Sequence, residues 1–171
     1  PDLNADRVVD LKDITQISKN WHESAPRIII NEFLADNDSR SPLDSTEILD
    51  GNLESSDWIE LHNTTADLNI DIGGWYLSDD EDHQPKWRIP DGTEIPPQGT
   101  LVIWVDGEPG EGALHTNFAL TTTGGTLDMW DRTLFGNAPI FRATYVTQTA
   151  DVAYGLVPDG AGEWQALSAP T

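Results

Sequence analysis

Six oxygen-bearing positions stand near the start of the chain with the spacing of a calcium loop. They are Asp2, Asn4, Asp6, Val8, Asp10 and Asp13, at loop positions 1, 3, 5, 7, 9 and 12. Alternate residues of a curled loop point inward. Val8 offers a backbone carbonyl there, and Asp13, placed on the segment that follows, closes the cage. Oxygen-only ligands suit a hard cation, so calcium is the expected ion. Arg7 occupies position 6, where a left-handed turn favours glycine, at a cost of about 1 kcal/mol. Asp13 is shorter than the glutamate that usually reaches the ion with both oxygens. The expected affinity is therefore modest, roughly 10⁻⁴–10⁻³ M.

The remaining candidates for chemistry are weaker. Glu32 and Glu60 both fall on strand-like segments and are expected to hydrogen-bond backbone, since an acid–base pair needs defined spacing across a cleft. Asp36-Asn37-Asp38 and Asp79-Asp80-Glu81-Asp82 are acidic loops that could hold a second calcium if the fold brought them together. His22, His62, His83 and His115 match no zinc spacing, and His115 is expected to be a structural hydrogen-bond donor. No serine sits in a Gly-x-Ser-x-Gly elbow. Trp58, Trp104 and Trp130 reach the outer faces of strands by alternation, where aromatics can bind sugar. Core packing is the commoner fate of tryptophan in such a fold.

Two kinds of element must position these residues. Leu11, Ile14, Ile17 and Trp21 recur at helical spacing, which predicts a short amphipathic helix directly after the calcium loop. His22 to Pro26 reads as a linker. From Arg27 onward the texture is that of strands. Ile28 to Leu34 is β-rich, and Trp58 to His62 alternates with Ile59 and Leu61 on one face. Between them, Asp36 to Asp57 is a polar loop carrying Arg40 against seven acids. Thr100 to Val105 is apolar on both faces and is expected to be a central strand. Gly73-Gly74, Asp91-Gly92, Gly124-Gly125 and Pro158-Asp159-Gly160 punctuate the rest as turns. Eight or so short strands at near-regular spacing predict an all-β sandwich, with no strand–helix alternation and no internal repeat.

Composition narrows the function. The 171 residues suffice for one sizeable core and a small appendage, and seven tryptophans load that core. Thirty acids against nine bases give a formal charge of −21, which repels phosphate backbones, so no nucleic-acid partner is expected. The absence of cysteine excludes disulfides, thiolate metal sites and thiol nucleophiles. No apolar run approaches the ~18 residues that span a bilayer, so no membrane insertion is expected. Opening inside a motif at Pro1-Asp2 and stopping at Ala169-Pro170-Thr171, the chain reads as part of a longer protein.

Several blocks then fall into a known order. Ile30-Asn31-Glu32-Phe33-Leu34-Ala35-Asp36-Asn37, Asp57-Trp58-Ile59-Glu60-Leu61-His62-Asn63 and Gly74-Trp75-Tyr76-Leu77-Ser78-Asp79-Asp80 resemble the opening of a lamin-tail domain. Lys86-Trp87-Arg88-Ile89-Pro90, Gly99-Thr100-Leu101-Val102-Ile103-Trp104 and Leu114-His115-Thr116-Asn117-Phe118 continue it. Gly124-Gly125-Thr126-Leu127, Tyr154-Gly155 and Pro158-Asp159-Gly160 complete it. The resemblance covers residues 27–171 and implies an immunoglobulin-like β-sandwich, non-catalytic, of the kind found in exported or cell-surface bacterial proteins. Residues 1–24 resemble a single dockerin repeat, a calcium loop with its α-helix. The resemblance implies a structural or protein-interaction module whose partner is another protein or a neighbouring domain, with carbohydrate or another surface ligand as the alternative.

Overall fold

The computed structural model describes residues 27–37, 48–80, 82, 85–132, 139–167 and 169–170. The expected helix over residues 11–21 and the expected calcium loop lie outside these. The described residues are all β, without a helix.

Eleven strands follow in chain order: β1 (Ile28–Leu34), β2 (Trp58–Asn63), β3 (Ile70–Asp71), β4 (Tyr76–Ser78), β5 (Trp87–Arg88), β6 (Glu94–Ile95), β7 (Thr100–Trp104), β8 (Gly124–Trp130), β9 (Phe141–Val146), β10 (Tyr154–Val157) and β11 (Glu163–Ala166). A five-stranded sheet has the order β11-β10-β1-β2-β7, and a four-stranded sheet the order β5-β4-β8-β9. A small β3-β6 ribbon joins them, and every strand pairing is antiparallel.

The apolar run of β1 is explained by a register break. Ile30 pairs with Leu61 and Glu32 with Glu60, so Asn31 is the extra residue of a bulge. Before the bulge Ile28 and Ile30 face the sandwich interior. After it the parity changes, and Phe33 and Ala35 face the interior instead. Across β2, Ile59 and Leu61 join the same core, as do Leu127 and Met129 of β8 and Ala143 and Tyr145 of β9. Tyr154 and Trp164 pack against it from β10 and β11.

The outer face of the five-stranded sheet carries a second, smaller cluster. Leu34, Trp58 and Ala153 are buried there, with Ile48, Val102, Trp104 and Leu167 packed over them. This explains why β7 is apolar on both faces without being central. Ile103 points into the sandwich, and Val102 and Trp104 point into the outer cluster. The expectation of a central strand is thus corrected: β7 is an edge strand of its sheet. Its free edge is covered by the following loop, where Trp104 N–H donates to Leu114 O and Thr116 N–H to Trp104 O, both at 2.9 Å. Such cover blunts an edge that would otherwise invite pairing with another chain.

Candidate metal centre

Two loops converge where β7 ends, the one before β2 and the one after β7. After β7, Val105 N–H donates to Asp57 O at 2.7 Å, which draws the 48–57 loop to the strand. Asp106 follows on the strand face that carries Trp104. The chain then turns through Gly107–Gly112 and returns as a parallel bridge between Trp104 and His115. Indole and imidazole stack with centroids 6.2 Å apart.

These contacts gather four side chains of metal-ligating type. Asp50, Asp106, Glu111 and His115 each bring one ligand atom to within 4.8 Å of every other. The set is largely buried: Asp50 is 5% exposed, and the side chains of His115 and Asp106 are 6% and 7% exposed. Glu111 is exposed at the rim and shares a second, solvent-facing group with Glu54 and Glu108.

Each side chain is held by a local reason. Asp50 opens a tight turn in which its Oδ1 accepts the N–H of Asn52 at 2.8 Å and of Glu54 at 2.9 Å. Its Oδ2 accepts the Ser56 hydroxyl at 3.1 Å. Burial alone would raise its pKa, but the two N–H groups, the Ser56 hydroxyl and the nearby His115 outweigh burial and hold the carboxyl below its usual range. Asp106 Oδ1 accepts Glu108 N–H at 3.0 Å, and its Oδ2 stands 2.7 Å from His115 Nδ1. A carboxylate there selects the Nδ1–H tautomer and leaves a lone pair on Nε2. Glu108 is pushed up, first by the charge of Glu111, then by burial and by Asp106 and Glu54.

One further acid feels this field. Burial raises Asp57 to about 6, against the Asn37 N–H that lowers it, with Asp36 and Asp106 adding repulsion. The folded protein therefore binds this proton more tightly than the unfolded chain does. The resulting stability is fully present below the unfolded pKa of 3.8 and is lost as pH rises through about 6. Asp57→Asn keeps an acceptor for Asn37 and removes the charge. It is expected to match the parent at pH 4 and to exceed it at pH 7.5 by about 1–2 kcal/mol, a figure discounted for partial exposure. Melting temperature against pH for both proteins checks this. Parallel curves would refute the assignment.

Most residues singled out by sequence lie elsewhere. Asp2, Asn4, Asp6, Val8, Asp10 and Asp13 lie outside the described residues, as do His22, His83, Asp38 and Glu81. Asp36, Asp79, Asp80 and Asp82 belong to neither ligating group found among the described residues. Glu32 and Glu60 face each other across β1 and β2. The acceptor role expected of Glu60 has a different donor: Asn31 Nδ2 reaches its Oε1 at 2.9 Å, where backbone was expected. Burial raises the Glu60 pKa, countered by Asn31 and Thr100. His115, expected to be a structural donor, stands 2.7 Å from Asp106; the cluster around it was missed, because Asp50 comes from the β1–β2 connection and the other three from the β7–β8 connection, and no sequence spacing relates the two.

Two packed antiparallel sheets define an immunoglobulin-like sandwich. The family's own model, the lamin tail domain, matches residues 22–154, and the chain belongs to that family. No curated protein matches the chain.

Proposed function

We propose that this chain is a non-catalytic structural or protein-interaction module of a larger exported or cell-surface protein, with calcium bound by Asp2, Asn4, Asp6, Val8, Asp10 and Asp13. The observation that carries the module reading is the fate of the aromatics. Trp58, Trp87 and Trp130 are buried, Trp75 and Trp164 pack against the main core, and Trp104 packs into the outer cluster. A sugar platform needs aromatic faces open to solvent, and these six are used for cohesion. That favours a protein partner over carbohydrate. Family membership supports the non-catalytic reading, since fold alone licenses no chemistry.

A panel of glycoside, ester, phosphate and nucleic-acid substrates is expected to stay blank, and a glycan array is expected to stay dark. Turnover that disappears in Glu32→Gln or Glu60→Gln would overturn the reading, and so would saturable glycan binding.

The calcium part has its own test. Titration calorimetry of the full chain is expected to show one calcium site of roughly 10⁻⁴–10⁻³ M, lost in Asp6→Ala. Equal heats from parent and variant would remove the N-terminal loop from consideration.

A further inference from the structure

We propose that Asp50, Glu111 and the Nε2 of His115, a ring that Asp106 orients at its Nδ1, form a second metal site, distinct from the N-terminal loop, that takes a borderline transition-metal dication of the zinc class. The imidazole decides the class. A hard cation such as calcium is served by oxygen alone, whereas one ring nitrogen with carboxylate oxygens suits zinc and its neighbours.

The cluster differs from an ordinary acidic surface patch in two independent ways. First, its charge is buried. The Asp50 and Asp106 side chains are almost wholly removed from water, with Glu111 at their rim, and His115 can contribute at most one positive charge against three negative ones. Two N–H groups and the Ser56 hydroxyl already offset the Asp50 charge, and a cation would offset what Asp106 and Glu111 add. Second, His115 has a nitrogen to spare. Its Nδ1 is taken by Asp106 at 2.7 Å, while its Nε2 makes no hydrogen bond among the described residues. That edge of the ring lies against the segment bearing Glu111, since a Cβ on Gly112 would stand 2.9 Å from Cδ2 and 3.4 Å from Nε2. A buried imidazole oriented by a carboxylate, with its other nitrogen unpartnered, is the arrangement of a metal-bound histidine and its supporting acid.

The dimensions fit a site that closes on its ion. Zinc with ligands at about 2.0–2.2 Å sets neighbouring ligand atoms roughly 3.4 Å apart. The ligand atoms lie within 4.8 Å of one another, and Glu111 is the exposed member, while Asp50 and His115 are held by their loops. Binding would join the 48–57 loop to the 106–115 loop and so pin both to the end of β7.

The test uses the full chain in saturating calcium, which keeps the N-terminal loop out of the measurement. Zinc chloride titrated into the parent is expected to give one saturable site and to protect the Gly107–Gly112 segment from limited proteolysis. Glu111→Gln, an exposed and fold-neutral change, is expected to weaken that site by roughly 10- to 100-fold. His115→Gln is expected to abolish it, while Asp6→Ala leaves it unchanged. Cobalt is expected to give visible d–d bands in the parent that disappear in His115→Gln. Absence of saturable zinc binding, equal binding by parent and Glu111→Gln, or loss of the site in Asp6→Ala would each overturn the proposal.

Discussion

Asn63→Ala is expected to lose about 3–5 kcal/mol of stability, although no core hydrophobe is touched. Asn63 closes β2 and is completely buried. Its Nδ2 lies 2.7 Å from Leu68 O, 2.9 Å from Ile95 O and 3.0 Å from Pro96 O. Its Oδ1 accepts the Thr65 N–H at 3.0 Å and the Thr65 hydroxyl at 2.7 Å. One amide thus joins the end of the five-stranded sheet to the β3-β6 ribbon and to the turn leading into β7. Leu68 O keeps the Thr65 hydroxyl and Pro96 O the Gly99 N–H, but alanine takes the side-chain donor from Ile95 O and the acceptor from Thr65 N–H where water has poor access, and each such loss costs about 1–3 kcal/mol. Asn63→Asp is expected to be at least as harmful. It retains the acceptor for Thr65 but turns a second oxygen toward three carbonyls. Denaturant unfolding of the two variants checks this. A loss below 1 kcal/mol in Asn63→Ala would show that the ribbon is held by packing alone.

Asn63 also illustrates what the sequence could and could not reveal. The block Asp57 to Asn63 was recognisable as a unit, and alternation placed Ile59 and Leu61 on the interior face, where both are buried. Periodicity reports which face a side chain occupies, because that depends on near neighbours. The partners of Asn63 lie as far as 33 residues away, and no local pattern encodes them. The same limit applies to the Asp50–Asp106–Glu111–His115 cluster, built from two loops more than 50 residues apart at their nearest members, Asp50 and Asp106. The bulge at Asn31 escaped too, since an unbroken run of isoleucines looks alike whether or not its parity changes midway. For β7 the period was read correctly and its cause was not: two apolar faces suggested neighbours on both sides, yet the second face meets the outer cluster at the sheet's edge.

Phe33→Ala is expected to be similarly severe, at about 3–5 kcal/mol, through a different mechanism. The bulge at Asn31 turns Phe33 into the sandwich, where it is 1% exposed. Its ring lies 4.8 Å from Tyr145 of β9, 5.9 Å from Tyr154 of β10 and 5.5 Å from Trp164 of β11, each tilted by more than 50°. Tyr154 and Trp164 in turn stack within 8° of parallel. Phe33 is therefore the shared neighbour of both sheets and of the edge strand β11. Truncation opens a cavity that none of the three surrounding rings can fill without leaving its own partner, and each tilted pair carries about 0.5–1.5 kcal/mol beyond its buried area. Phe33→Leu restores most of the volume without the ring and is expected to cost less than about 1.5 kcal/mol beyond the lost aromatic pairs. Both variants are to be followed by denaturant unfolding, with near-ultraviolet circular dichroism as the reporter of ring packing. If Phe33→Ala kept the parental aromatic signal and lost under 1 kcal/mol, the rings of Tyr145, Tyr154 and Trp164 would be packing without their common centre, and the bulge at Asn31 would lose its assigned purpose of turning that residue inward.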